Sequence, residues 1–290
     1  VSIVDVYENG RFGLSFELFP PKNPDSEQLM WRTVEELVAF QPAMVTCTYG
    51  AGGSTRDKTL DVIEGVRKRY HLPVASHLTC VGSSIDELRG YLQAARSRGV
   101  SAIVALRGDP PQGATVFTPV AGGLCYAAEL VALIRAEFPE FGILVAGYPE
   151  THQEALSPDA DLKNLKQKCD AGGEVVVTQL FYDNADFFRF RERCVAEGIR
   201  APIIPGVMPV VNYAQIRRIS TLCKARLPES FTRAFEAAGE DEASQFEVGV
   251  DFATRQVQEL LDGGVPGIHF YVLNRSPATV RVLQQVGMGR

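Results

Sequence analysis

Glu17 stands inside the apolar run Leu14-Ser-Phe-Glu-Leu18, which Pro20 and Pro21 bring to a stop. Proline cannot donate to a sheet ladder, so the chain leaves the sheet there. A carboxyl buried without partners is costly, so an acid in such a run points to a group that handles a proton. Other polar residues end later apolar runs: Thr48 and Tyr49, His77 and Thr79, Arg107-Gly-Asp109, Tyr148 and Glu150, Gln179, and Asn274 with Arg275. Strand ends that meet water become polar without any function. That does not account for an acid between Phe16 and Leu18, or for Gln179 ahead of Leu180-Phe-Tyr182. The set suits proton transfer and the binding of a polar heterocycle without a protein nucleophile. No lysine ends a strand, as a Schiff-base enzyme needs, and there is no G-x-S-x-G elbow and no P-loop. Gly50-Ala-Gly-Gly53 sits where a dinucleotide fingerprint would, but Thr55 replaces its third glycine.

These residues need a scaffold that brings strand ends together. Apolar periodicity predicts helices over 26–40, 56–70, 85–98 (with Gly99 as its cap), 126–138, 159–171, 185–197, 213–223 and 278–286. They alternate with short apolar runs at 14–19, 44–49, 73–79, 102–106, 142–146, 174–180, 202–207 and 267–273. A longer piece, 227–261, adds one or two helices before the last strand. Strands so continuously apolar are covered on both faces, which leaves a doubly wound sheet or a closed barrel. Eight units at roughly 30-residue spacing favour an α/β (β/α)8 TIM barrel with extra helices before the eighth strand. No internal linker is visible, so residues 1–290 are expected to form a single domain. In such barrels the site lies at the C-terminal strand ends, where the polar residues above fall.

Composition narrows the class. A net charge of −6 argues against nucleic acid or an anionic membrane as partner. No apolar run approaches the roughly 20 residues of a membrane span, and Val1 to Phe12 shows no signal-peptide pattern. The six cysteines have no C-x-x-C pair and read as reduced thiols of a cytoplasmic protein. The four histidines lack metal-site spacing, so no metal is expected. Cys47, Cys80 and His269 read as packing residues. A homo-oligomer is compatible with the sequence, which does not set the state.

At this point the residues resemble a family, methylenetetrahydrofolate reductase. The resemblance is carried by Phe16-Glu-Leu-Phe-Pro-Pro-Lys22, Val45-Thr-Cys-Thr-Tyr-Gly-Ala51 with Arg56-Asp57, His77-Leu-Thr-Cys80 and Ala105-Leu-Arg-Gly-Asp-Pro-Pro111. It continues through Gly147-Tyr-Pro-Glu-Thr-His152, Asp161-Leu-Lys-Asn-Leu-Lys-Gln-Lys168 and Thr178-Gln-Leu-Phe-Tyr-Asp183. Ile204-Pro-Gly-Val-Met-Pro209 and His269-Phe-Tyr-Val-Leu-Asn-Arg275 complete it. The matches run in order over nearly the whole chain and look like the bacterial, catalytic-barrel-only form.

The resemblance implies a barrel holding FAD without a Rossmann fingerprint, and NADH or NADPH as co-substrate. It implies ping-pong reduction of 5,10-methylenetetrahydrofolate to 5-methyltetrahydrofolate, the nicotinamide and the folate using the same face in turn. It makes Glu17 the acid that protonates folate N10, provided the apolar strand keeps its carboxyl protonated near neutral pH. Asp109 matches an aspartate beside the flavin. Thr48, Tyr49, Ala51, His77, Arg107, Gly108, Tyr126, Tyr148, His152, Ala155, Asp161, Asn164 and Lys168 match FAD-contacting positions, with Arg107, His77 and Lys168 towards diphosphate or ribose oxygens. Gln179, Gln215 and Arg275 match substrate-contacting positions. Two departures stand out: Gln167 where the bacterial pattern often has a basic residue, and Ile219 where an aromatic can pack on substrate. Competing expectations are a flavin-free barrel passing a methyl group from methyltetrahydrofolate, a proline-dehydrogenase-like flavin barrel, and an inactive barrel serving as a binding subunit.

Overall fold

In each short apolar run the pleat sends alternate side chains to opposite sides of the sheet. In β1 (Gly13–Leu18), Leu14, Phe16 and Leu18 join the outer core under the helices, while Ser15 and Glu17 turn the other way. The apolar neighbours of Glu17 in sequence therefore face away from it in space. The computed structural model of the protein describes residues 3–7, 11–48, 56–110, 113 and 116–289.

The chain continues through α1 (Pro24–Val38), β2 (Met44–Cys47), α2 (Arg56–Tyr70), β3 (Val74–Thr79), α3 (Ile85–Ser97), β4 (Ala102–Leu106) and α4 (Ala127–Glu137). Then come β5 (Gly142–Gly147), α5 (Pro158–Asp170), β6 (Val175–Thr178), α6 (Asn184–Ala196), β7 (Ile203–Ile204) and β8 (Gly206–Val207). The last elements are α7 (Tyr213–Cys223), α8 (Glu229–Ala238), α9 (Glu242–Asp262), β9 (Gly267–Tyr271) and α10 (Pro277–Gln285). Side-chain caps set several starts: Asn23 and Ser26 form a capping box on α1, Ser84 and Glu87 one on α3, and Ser157 caps α5 ahead of Pro158.

All strand pairs are parallel, in the order β7-β6-β5-β4-β3-β2-β1-β9-β8. The expected seventh strand, 202–207, is two short pieces, because Pro205 between them has no N–H for the ladder. Its first half pairs with β6 and its second with β9, so the sheet is a nearly closed barrel. Across the break the Pro205 carbonyl accepts from His269 N at 3.0 Å and Thr178 Oγ1 accepts from Gly206 N at 2.9 Å. Gly206 must lack a side chain: a Cβ there would lie 2.2 Å from the Thr178 carbonyl oxygen.

The barrel fits the expected α/β architecture, with α8 and α9 as the extra helices before the last strand. Its outer core lies between strands and helices, and a second cluster, including Met44, Ala75, Ala102, Leu144, Val175 and Ile204, fills the lumen. Tyr7, following the short 3-10 turn Val4–Val6, belongs to this lumen cluster and lies against the backbone of Gly13 and Gly267. A third cluster, with Leu180, Tyr182, Met208, Ile216, Phe231 and Phe235, ties α7 and α8 to the C-terminal end of the barrel. Among the described residues no helix is long and apolar enough to cross a membrane, and no group of His, Cys, Asp and Glu is placed to hold a metal ion.

Candidate active site

The pleat of β1 and its two neighbours builds the floor. Glu17 is level with Thr46 of β2 and Tyr271 of β9, and Ser15 is level with His269. Two imidazoles converge on one carboxylate oxygen: His77 Nε2 lies 3.2 Å and His269 Nε2 3.6 Å from Glu17 Oε2. Ser15 Oγ holds the far nitrogen of His269, Nδ1, at 2.8 Å. Burial alone would push the Glu17 carboxyl up. The charge of His77, with hydrogen bonds from both histidines, outweighs it and brings the carboxyl down to about 2. The expectation that an apolar strand keeps this acid protonated is therefore corrected. The side chain faces two imidazoles in the lumen, whereas Phe16 and Leu18 face the helices.

Above this floor, at the C-terminal strand ends, a cavity of about 510 Å³ opens. Glu17, Thr48, His77, Arg107, Gly108, Asp109, Tyr148, His152 and Gln179 line it, over an apolar surface that includes Val104, Leu144, Val177 and Ile219. Gly108 turns the chain with a φ of +88°, which L side chains rarely adopt, and so places Arg107 and Asp109 on the rim. Arg107 is held by three bonds: Nε to the Gly108 carbonyl at 3.2 Å, and Nη1 and Nη2 to the Glu154 carboxylate at 2.6 and 2.8 Å. The Tyr148 and His152 rings meet edge to face at 4.6 Å. The His152 amide donates to Asp161 Oδ2 at 2.9 Å, which orders the loop after β5. Behind that loop Lys168 Nζ donates to the Ala146 carbonyl at 2.5 Å. Burial presses its ammonium down to about 8, Asp161 only partly opposing. Gln179 Oε1 accepts from the Leu180 amide at 2.9 Å, a bond that fixes the amide group's orientation.

A second cavity, of about 730 Å³, shares Met208, Ile219, Tyr271 and Leu273 with the first. Gln215 and Arg275 line it, with Asn212, Glu242 and Phe246. Asn212 caps α7 by accepting from the Gln215 amide at 2.9 Å. Asn274 clamps both main-chain groups of Phe19, at 3.1 and 2.8 Å, fixing the turn that carries Arg275 beside the end of β1.

The structure thus gathers Glu17, Thr48, His77, Arg107, Gly108, Asp109, Tyr148, His152 and Gln179 round one cavity, and Gln215 and Arg275 round its neighbour. Asp161 and Lys168 support the wall from behind. Tyr126, at the N-cap of α4, is 65% exposed, and Ala155 and Asn164 also lie off both cavity walls. Tyr49 and Ala51 lie outside the described residues. Four residues went unread in the sequence: His269, taken for packing, Ser15, Thr46 and Glu154. Thr46 Oγ1 is buried in the cavity wall with no hydrogen-bond partner among the described residues. Parity was the available signal for His269 and Ser15, since each stands two residues from a lumen-facing position.

Residues 2–287 match the methylenetetrahydrofolate reductase family. The chain is 39% identical over 279 residues to the 5,10-methylenetetrahydrofolate reductase of Escherichia coli K12, covering 96% of this chain and 92% of that protein. It is 40% identical over 281 residues to the Pectobacterium carotovorum protein of the same name, with 96% and 91% covered. Methylenetetrahydrofolate reductase (NADH) 1 of Arabidopsis thaliana is 37% identical over 296 residues, which are 99% of this chain and 50% of that protein. The chain therefore spans about half the length of this plant relative and roughly nine-tenths of the two bacterial ones. Among solved structures, an uncharacterized Clostridium thermocellum protein that binds 5-methyl-5,6,7,8-tetrahydrofolic acid superposes with a TM-score of 0.65 at 11% identity, over 98% of both chains. A Coxiella burnetii dihydropteroate synthase in complex with pteroic acid gives 0.52 at 11% identity, over 95% and 92%. At such identity these two likenesses speak for the barrel alone. The sequence matches, over nearly the full length, show that the chain belongs to the methylenetetrahydrofolate reductase family.

Proposed function

We propose that the protein reduces 5,10-methylenetetrahydrofolate to 5-methyltetrahydrofolate, with FAD as its carrier and NADH or NADPH as reductant. The observation that carries this reading is the position of Glu17 at the floor of a cavity whose rim holds Asp109 and Gln179. A second cavity bearing Gln215 and Arg275 opens from its side.

The residues present suit a flavin dinucleotide. The aliphatic side chains of Val104, Leu144 and Val177 offer a face for a ring system, and the Thr46 hydroxyl, unpartnered among the described residues, offers a bond at its polar edge. Arg107 and His152 supply donors for phosphate and ribose oxygens, and Lys168 supplies positive charge behind the wall. When bound, the flavin supplies the two-electron carrier between nicotinamide and folate.

The chain's own residues do the rest. Gln179 presents an amide donor and acceptor that fit a pterin edge, and Gln215 and Arg275 hold the remainder of the folate from the side cavity. Glu17 delivers a proton to N10, which weakens the N10–methylene bond and leaves an N5 iminium as acceptor. The carboxylate of Asp109 stabilises that developing cation from the rim. The lumen position of Glu17 keeps bulk water from competing for the proton.

The test is direct. The purified protein should be yellow, bleach with NADH or NADPH under anaerobic conditions, and recover its colour on adding 5,10-methylenetetrahydrofolate. A colourless protein that cannot be reconstituted with FAD would sink the reading and favour a flavin-free methyl-transferring or ligand-binding barrel.

A further inference from the structure

Glu17 must be recharged once per turnover, because reduction of the methylene bridge leaves one proton on N10. Near neutral pH that proton is held beside the carboxyl, and the surrounding residues say where. His77 and His269 both approach Oε2 of Glu17, at 3.2 and 3.6 Å. They differ in what stands behind them. His269 is 2% exposed, and its Nδ1 is anchored at 2.8 Å by a fully buried Ser15. His77 lines the cavity without such an anchor among the described residues, at a position matched to the cofactor.

The anchor is suited to a ring that changes charge. A hydroxyl donates to Nδ1 when the imidazole is neutral with its proton on Nε2, and accepts from Nδ1–H when the ring is an imidazolium. His269 therefore keeps a satisfied partner in both states, with Nε2 always aimed at Glu17. The other titratable groups near the acid do not compete. Cys47 of β2, Tyr271 of β9 and the Tyr7 hydroxyl beside Ser15 are all pushed up by burial and stay protonated near neutral pH. Arg107 and Asp109 stand on the rim at the end of β4, away from this cluster.

We propose that His269, held by Ser15, is the proton store and positioning residue of Glu17, an inference that rests on the folate-reducing function above. The Nε2–H bond of the imidazolium breaks as an O–H bond forms on Glu17, leaving a neutral ring and a neutral acid. That O–H bond then breaks as N10–H forms, and the electron pair of the N10–methylene bond stays on N10. Water returns one proton to His269 between turnovers, so protons balance. Ligand binding drives the first step. A folate covering the floor removes water from a carboxylate–imidazolium pair, and a drier site favours the neutral pair.

Stopped-flow half-reactions on the flavin-loaded protein test this. His269→Gln should leave flavin reduction by NADH within about twofold. It should slow reoxidation by 5,10-methylenetetrahydrofolate roughly 100-fold at pH 7 and flatten that step's fall with rising pH. Ser15→Ala, a smaller change, should slow the same step about tenfold and shift the His269 tautomer seen by 15N-imidazole NMR. In the same spectra Glu17→Gln should lower the titration midpoint of His269. Wild-type rates and pH profile in both variants, or an unmoved His269 midpoint, would overturn the proposal. If His269→Gln does not fold, Ser15→Ala and the NMR titration decide. If the wild-type flavin is not reoxidised by the folate, the functional reading fails instead, and the NMR titration still reports whether His269 and Glu17 share a proton.

Discussion

Arg107 and Glu154 form a two-point ion pair across two βα loops, Nη1–Oε2 2.6 Å and Nη2–Oε1 2.8 Å, at the rim of the cavity. The guanidinium also lies 5.0 Å from the Phe117 ring centre, so its plane is fixed on several sides. If Arg107 meets the proposed cofactor's diphosphate, the Glu154 carboxylate competes for the same donors. Glu154→Gln should therefore bind FAD about three- to tenfold tighter, read by flavin fluorescence quenching. Weaker binding would mean that Glu154 serves to orient Arg107.

Glu17→Gln keeps the shape of the floor and removes the transferable proton. Flavin reduction by NAD(P)H should persist nearly intact, while folate reduction falls by about 10² to 10⁴. Single-turnover absorbance at the flavin band reads both steps. Survival of the folate step would remove Glu17 from the acid role.

Asp109 places a negative charge on the rim of the cavity. Asp109→Asn should make the bound flavin easier to reduce and slow folate turnover, because the same charge opposes an anionic reduced cofactor and favours an iminium. A redox titration with indicator dyes measures the first effect. An unchanged potential would count against this electrostatic role.

Burying the Lys168 ammonium costs stability. Burial takes its ammonium down to about 8 from the usual 10.5. Below pH 8 both folded and unfolded chains carry the proton, and the folded one bears the full cost of burying it. Between 8 and 10.5 the folded chain sheds the proton first, so this cost fades as pH rises. Lys168→Met should raise the stability of flavin-free protein at pH 7 by about 1–2 kcal/mol, with the gain shrinking by pH 10. The same change should weaken FAD binding. Melting curves at the two pH values and a flavin titration check both halves.

Much of the barrel was legible because its strands are apolar runs and its helices have caps and clear periodicity, as in Ser84 with Glu87. Most of the cavity rim was legible too, since barrel sites gather at strand ends. What the sequence hid depends on closure of the ring. Pro202-Ile-Ile-Pro-Gly-Val207 read as one strand, yet Pro205 splits it between two neighbours. The state of Glu17 was misread from Phe16 and Leu18, which point to the other side of the sheet. His269 and Ser15 are 254 residues apart and meet only when the last strand pairs with the first. Glu154 likewise finds Arg107 from 47 residues away, through a loop with no periodic pattern.

The break at Pro205 gives the ring one joint. From β6 through β1 to β9 the hydrogen-bonded ladder is unbroken, and Glu17, His77 and Arg107 are all mounted on that arc. The short seventh segment instead pairs with β6 through its first half and with β9 through its second, with added bonds from Gly206 to Thr178 and from His269 to Pro205, and the Tyr271 hydroxyl spans the joint to the Thr178 carbonyl at 2.7 Å. Met208 and the wall of the larger cavity follow directly from that segment. The ring is thus one long arc of paired strands joined by a seventh segment shared between its two ends. The arc sets Glu17 in register with Thr46 and Tyr271, and the shared segment leads into the wall common to both cavities.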